Sequence, residues 1–184
     1  DGLQHYALRR DCEIAVIDAT RGLGNGAMLP AGPLREPRGR LEEVDAVVSL
    51  LAADVPSASE GSSVMRYATL PWVNLARPGQ AADLEAWRRG PIHALAGIGD
   101  PDRFFAELRH LGLDPICHAF SDHHRYAPQD VRFPGASAIL MTEKDAVKCV
   151  AFADERFWYL PIRARIDPAL VPRVTAIIHG RQAA

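Results

Sequence analysis

The 184-residue sequence has no long apolar run. Nothing in it approaches the roughly 18 residues that cross a bilayer, which excludes a membrane-spanning helix within these residues. It has no excess of positive charge either: 21 Lys and Arg stand against 23 Asp and Glu, for a net charge of −2. A basic stripe of the kind that marks a nucleic-acid surface is therefore missing. Cysteine is scarce and odd in number. Cys12, Cys117 and Cys149 lie far apart, in or beside apolar runs. That spacing argues against a disulfide framework or a zinc pattern and for buried thiols of a reducing compartment. No G-x-x-x-x-G-K-[ST] occurs, so the usual triphosphate cradle is not among these residues. Repeats, low-complexity tracts and an initiator Met are also lacking.

What is present supports a real core. Apolar residues make up 48% of the chain, enough for one domain or two small ones. The first residues, Asp1-Gly2-Leu3-Gln4-His5-Tyr6, place an acid, a glycine turn and an imidazole directly before the strand-like run Glu13–Ile17. Such a group is metal or phosphate chemistry more often than packing, and a fold rarely begins there. The sequence is therefore expected to be the C-terminal part of a longer enzyme.

The second half alternates strands and helices. Ile92–Ile98 reads as a strand, and Asp100-Pro101 supplies an N-cap and a proline at the first helical position. Phe104, Phe105, Leu108 and Leu111 then share a helix face that Gly112 terminates. Strands follow at Pro115–Phe120, Ser137–Met141 and Phe157–Leu160, with a helix from Glu143 to about Ala153 and a last helix opened by Asp167-Pro168 and ended by Gly180. This alternation predicts an α/β fold, a mostly parallel sheet covered by helices. Ligands of such sheets sit beyond the carboxyl ends of the strands. Gly97–Asp100, Ser121–His124 and Thr142–Asp145 fall there. The first half is less regular, with strands expected at Glu13–Ile17, Asp45–Leu51 and Met65–Leu75. A turn or linker is expected at Pro56–Ser63, and a domain boundary near Gly90.

Three groups carry candidate chemistry. The loop Arg21–Arg40 combines five glycines with Arg21, Arg35, Arg38 and Arg40. Glycine lets backbone approach a ligand and arginine grips phosphate, although the same loop can be a solvated surface. Asp122-His123-His124 can be an acid/base pair or a manganese group of the DHH phosphoesterase kind, and His118 with His123 and His124 could form another metal group. A solvent-exposed loop is the plain alternative. Thr142-Glu143-Lys144-Asp145 is either a capped helix start or an anion site. Trp72, Trp87 and Trp158 read as packing residues, and His93, His110 and His179 as structural or exposed.

Taken in order, the longer motifs resemble the tetraacyldisaccharide 4'-kinases, the lipid A 4'-kinases. They are Asp1–Tyr6 with Arg10-Asp11, Gly24-Asn25-Gly26 with Leu29–Glu36, Val44–Val47, Ala96–Gly99 with Pro101 and Arg103–Phe105, Asp122-His123, Met141–Cys149 and Trp158–Pro161. The resemblance covers essentially the whole chain. It implies transfer of the γ-phosphate of ATP to the 4'-hydroxyl of tetraacyldisaccharide 1-phosphate, giving lipid IVA, with ATP and Mg²⁺ as cofactors. It also implies two three-layer α/β/α domains of the P-loop-kinase kind, working at the cytoplasmic face of the inner membrane of Gram-negative bacteria. Residues 1–90 would be the remainder of the nucleotide-binding domain and connecting ribbon, and residues 91–184 a complete, smaller Rossmann-like domain. The phosphate cradle, a membrane-associating helix and the base-bearing motif of the family would precede Asp1, leaving these residues inactive alone. By motif position Asp1 would hold Mg²⁺, and Gln4 and His5 would lie beside the phosphates. Arg35 would stabilise transferring charge, while His123, with Asp122 beside it, would poise the catalytic base. Asp100 departs from the neutral residue that the family pattern implies.

Overall fold

The computed structural model describes residues 2–51 and 62–182. Asp1 and most of the expected linker at Pro56–Ser63 lie outside the described residues. The chain divides into two compact units, one within Asp1–Ala68 and Ala164–Ala184, the other Thr69–Arg163.

The first unit is built on strands β1 (Ile14–Asp18), β2 (Ala46–Leu50) and β3 (Ser63–Thr69), with a late strand, β9 (Ile162–Ile166), beside β3. β1 and β2 run parallel with Ile14 opposite Ala46, and β2 and β3 run parallel with Val48 opposite Ser63. A single turn of helix, α1 (Arg40–Glu43), precedes β2. Helix α5 (Leu170–Gln182) closes a small core in which Leu170 meets Ala46 and Val48, with Met65 and Val174 at its margin. Asp45 fixes the start of this sheet, since its carboxylate accepts the Glu13 amide at 2.8 Å. The Arg173 guanidinium on α5 donates to the Asp45 carbonyl at 2.8 Å.

The second unit contains β4 (Val73–Asn74), α2 (Leu84–Trp87), β5 (Ile92–Ala96), α3 (Pro101–His110), β6 (Ile116–Ala119), β7 (Ala138–Thr142), α4 (Glu143–Cys149) and β8 (Phe157–Leu160). The sheet order is β4-β8-β7-β5-β6, parallel except for β4 at one edge. β7 is continuously apolar because both faces of the sheet are covered. Leu140 packs with Ala94, Leu108 and Trp158 on one side, and Ile139 and Met141 with Leu95 and Phe157 on the other. Ala138 to Met141 are completely buried. Burying each of the large side chains contributes about 1.5–3 kcal/mol. The tryptophans are packing residues here: Trp87 meets Trp72 edge-on at 5.3 Å and Trp158 at 5.1 Å.

Helix ends follow from their residues. Asp100 accepts the Arg103 amide at 3.4 Å and Pro101 opens α3. Gly112, at φ +75°, lets the Leu113 amide turn back to the Leu108 carbonyl at 3.0 Å while the two buried leucines pack in one core. Thr142 caps α4 by accepting the Asp145 amide at 3.3 Å.

Several expectations are corrected. The run Met65–Leu75 is not one strand: β3 ends at Thr69, and Leu70-Pro71-Trp72 separate it from β4, proline lacking the N–H that a continuing ladder needs. α4 stops at Cys149 and tightens into a 3-10 turn, Val150–Phe152, rather than reaching Ala153 as helix. The last helix starts at Leu170, because the Asp167 carboxylate takes the Ala169 amide in a turn first, and it runs past Gly180 to Gln182. β9 is an addition; its residues are all exposed, so no buried run betrays it. The boundary expected at Gly90 differs from the compact units. Residues 69–90 belong to the second, where Asn74 and Trp87 are buried, and α5 belongs to the first. None of the three cysteines forms a disulfide; Cys149 is buried and Cys12 and Cys117 are half-buried.

Candidate active site

In the first unit, Gly2–Gln4 form a 3-10 turn that brings Gln4 onto the arginine-bearing loop. The Gln4 amide donates to Glu36 at 3.3 Å, and the Tyr6 hydroxyl donates to the same carboxylate oxygen. That bond, with burial and the Glu36 charge, holds the Tyr6 phenol above its ordinary value of 10.0. Gln4 and His5 line an open cleft of about 540 Å³ with Leu3, Leu8 and Ile14. Beneath it, Glu13 bridges Arg10 at 2.9 Å and Arg40 at 2.6 Å. The Arg40 hydrogen bond, more than any other contact, depresses the Glu13 carboxyl. Arg10 also donates to the His5 carbonyl at 2.7 Å, so the backbone carrying this histidine is held from the same network.

Arg35 is exposed and lies next in sequence to Glu36. Gln4 thus contacts the loop that carries Arg35, through the neighbouring Glu36. Two glycines of the loop, Gly24 and Gly32, are required by its own packing. A Cβ on Gly32 would come within 2.1 Å of Asn25 Oδ1, and one on Gly24, at φ +60°, within 2.6 Å of Pro33. Asn25 completes the fold-back by donating to the Ala31 carbonyl at 2.9 Å and accepting the Ala27 amide at 3.1 Å.

In the second unit, three polar segments meet at the carboxyl ends of β5, β6 and β7. Asp145, at 0% exposure, accepts the Gly97 amide at 3.1 Å, the Thr142 hydroxyl at 2.6 Å and the Lys148 ammonium at 3.1 Å. No side chain fits at Gly97: a Cβ there would lie 2.8 Å from Tyr126 Oη and 3.3 Å from His124 Cβ. The Tyr126 hydroxyl is buried without a hydrogen-bond partner, and burial followed by the nearby Asp145 charge raises its pKa. Burial, again reinforced by Asp145, pushes the Cys149 thiol up to about 12, so this cysteine is an inert packing group.

His123 is the only non-glycine residue at positive φ, +61°, among the described residues. Its amide donates to Asp122 Oδ1 at 3.0 Å and its side chain is 77% exposed. Asp122 Oδ2 lies 3.7 Å from His123 Nε2, too far for the hydrogen bond of a tautomer-holding pair. Asp122 instead accepts Lys144 Nζ at 2.9 Å, and this bond, more than any other contact, lowers its pKa.

The neighbouring histidines diverge. His124 pairs with Asp130 at 3.1 Å, whose carboxylate also takes the Ala127 amide at 2.9 Å. His118 faces His93 at 3.0 Å. His118, His123 and His124 therefore share no common point, and no group of three or more His, Cys, Asp or Glu that could hold a metal occurs among the described residues. The phosphoesterase alternative has no ligand set there.

Parallel strands ending in charged, hydrogen-bonded loops place the chain in the α/β class, and a solved kinase shares that fold. LpxK from Aquifex aeolicus, crystallised in complex with ATP, superposes with a TM-score of 0.67 at 22% identity, over 97% of this chain and 56% of that one. The family model for tetraacyldisaccharide-1-P 4'-kinase matches residues 1–179, and the chain belongs to that family. It is 49% identical over 96% of its length to the tetraacyldisaccharide 4'-kinase of Methylobacillus flagellatus, and 51% identical over 92% to that of Azotobacter vinelandii. It spans about half the length of these relatives, 51% and 50%.

Proposed function

We propose that this chain is part of an enzyme that moves the γ-phosphate of ATP to the 4'-hydroxyl of tetraacyldisaccharide 1-phosphate, giving lipid IVA. The observation that carries this reading is the family match over residues 1–179. In the intact kinase, the first compact unit would complete the nucleotide-binding domain and the second would form the smaller one. Arg35, presented on a loop braced by Glu36, would offset charge on the transferring phosphoryl group, the ordinary work of arginine in such reactions. Gln4 and His5 would face the phosphates from the cleft that they line. His123, exposed on a fixed turn, would poise the base that takes the sugar proton.

ATP and Mg²⁺ would be cofactors of that intact enzyme. Asp1, the residue proposed for Mg²⁺, lies outside the described residues, and the described ones form no ligand cluster of their own. The lipid substrate would be met at the cytoplasmic face of the inner membrane. No helix among the described residues is long and apolar enough to cross a membrane.

The test is ATP-dependent phosphorylation of the lipid disaccharide by an active kinase containing this sequence. Arg35→Ala and His123→Ala should each lower turnover by ~10²–10⁴-fold with the protein still folded, the range that loss of a positioned catalytic group costs. Turnover within twofold of wild type in both variants would overturn the assignment.

A further inference from the structure

The proposed reading leaves Thr142-Glu143-Lys144-Asp145 without a task, and the structure gives its lysine one. We propose that Lys144 is a positioning residue for His123, acting through Asp122. This proposal rests on the reading of His123 given above. Two contacts and a backbone angle carry it. Lys144 Nζ donates to Asp122 Oδ1 at 2.9 Å, the same oxygen accepts the His123 amide at 3.0 Å, and His123 sits at φ +61°. A left-handed backbone is unfavourable for a residue with a Cβ, so it persists where surrounding contacts hold it. Here the Asp122 carboxylate satisfies the His123 amide from the preceding residue, and the His124 amide donates to the Ser121 carbonyl at 3.0 Å on the far side of the turn.

Asp122 needs an anchor to do this, because half-exposed carboxylates choose among rotamers and water. Lys144 supplies it from the first turn of α4. That turn is among the firmest points of the unit. Thr142 and Asp145, on either side of Lys144, are hydrogen-bonded to each other, and Asp145 holds the Gly97 amide at the end of β5. The chain of contacts runs from a buried carboxylate, through a helix start, to an exposed ion pair and then to the histidine backbone. Asp122 is thereby an orienting group rather than a proton-transfer partner, in keeping with its 3.7 Å separation from His123 Nε2.

The experiment compares Lys144→Met and Lys144→Arg with wild type in an active kinase containing this sequence, alongside amide hydrogen exchange of His123. Lys144→Met should lower kcat about two- to fivefold with KM unchanged, the scale of a lost exposed ion pair, and should speed exchange of the His123 amide. Lys144→Arg should restore both. The gap between wild type and Lys144→Met should narrow at high salt, because an exposed pair is screened. A Lys144→Met enzyme with wild-type kcat and unchanged His123 exchange would overturn the proposal, even with His123→Ala inactive. If His123→Ala is fully active instead, the catalytic reading fails, while faster His123 exchange in Lys144→Met would still establish the tether itself.

Discussion

Asp145 takes the amide proton of Gly97 at 3.1 Å, so a fully buried carboxylate ties the end of β5 to the first turn of α4. Around that bond the Thr142 hydroxyl and Lys148 ammonium satisfy the remaining oxygen sites. Asp145→Ala would remove the acceptor of the Gly97 amide, the Thr142 hydroxyl proton and the Lys148 ammonium. It should cost about 2–3 kcal/mol of unfolding free energy, measured by denaturant titration, since bonds to charged groups are the stronger ones. A loss under 0.5 kcal/mol would mean that water replaces the carboxylate.

Gly97→Ala probes the same junction from the backbone side. The added methyl would sit 2.8 Å from Tyr126 Oη and 3.3 Å from His124 Cβ, so something must move. The expected outcome is a destabilisation of about 1–3 kcal/mol together with shifted NMR resonances for His123 and His124. Unchanged resonances would show that the turn and the strand end are mechanically independent.

His123→Gly separates conformation from chemistry. Glycine accepts φ +61° without strain, so the variant should be as stable as wild type, or about 0.5–1 kcal/mol more so, by thermal unfolding. Turnover in an active kinase should fall as far as in His123→Ala. Stability lost by more than 1 kcal/mol would mean that the imidazole, and not just its backbone, is structural.

Glu36 is expected to be the brace of the Arg35 loop. Glu36→Gln should lower the Tyr6 phenol toward 10.0, because the Glu36 bond is the largest cause of its upward shift. Titration of ¹³C-labelled tyrosine measures this. A Tyr6 curve that does not move would show that the pairing is not maintained in solution.

The His93–His118 pair predicts a pH window for stability. The two rings are nearly parallel, 13° apart, and joined at 3.0 Å, with Phe133 stacked on both at 4.2 and 4.4 Å. Burial lowers both rings below the ordinary 6.5, so below that value the unfolded chain binds more protons than the folded one. Stability from the pair is complete above 6.5 and lost as pH falls from there through the folded-state values. Unfolding midpoints of wild type should drop across this range more steeply than those of His93→Phe. Parallel curves would remove the pair from the account.

Much of the second unit was legible because its local signals agree. Asp100-Pro101 and Gly112 bracket α3 as their backbone chemistry requires, and the apolar run of β7 marks a strand covered on both faces. Motif order alone pointed to the family, and the match over residues 1–179 shows it. β9 carries no buried pattern because it is a fully exposed strand, and α5 runs two residues past the glycine expected to end it. At the candidate site, residue types were readable but partners were not. Nothing in the order of letters says that Glu36 serves Gln4 and Tyr6, that His118 turns to His93, or that Lys144 rather than His123 pairs with Asp122. Composition, caps and hydrophobic period act over a few residues, so the sequence by itself determined the elements, the class and the family. Lys144 lies 22 residues from Asp122 and Asp145 lies 48 from Gly97, and only the packed sheet brings those separations within a hydrogen bond.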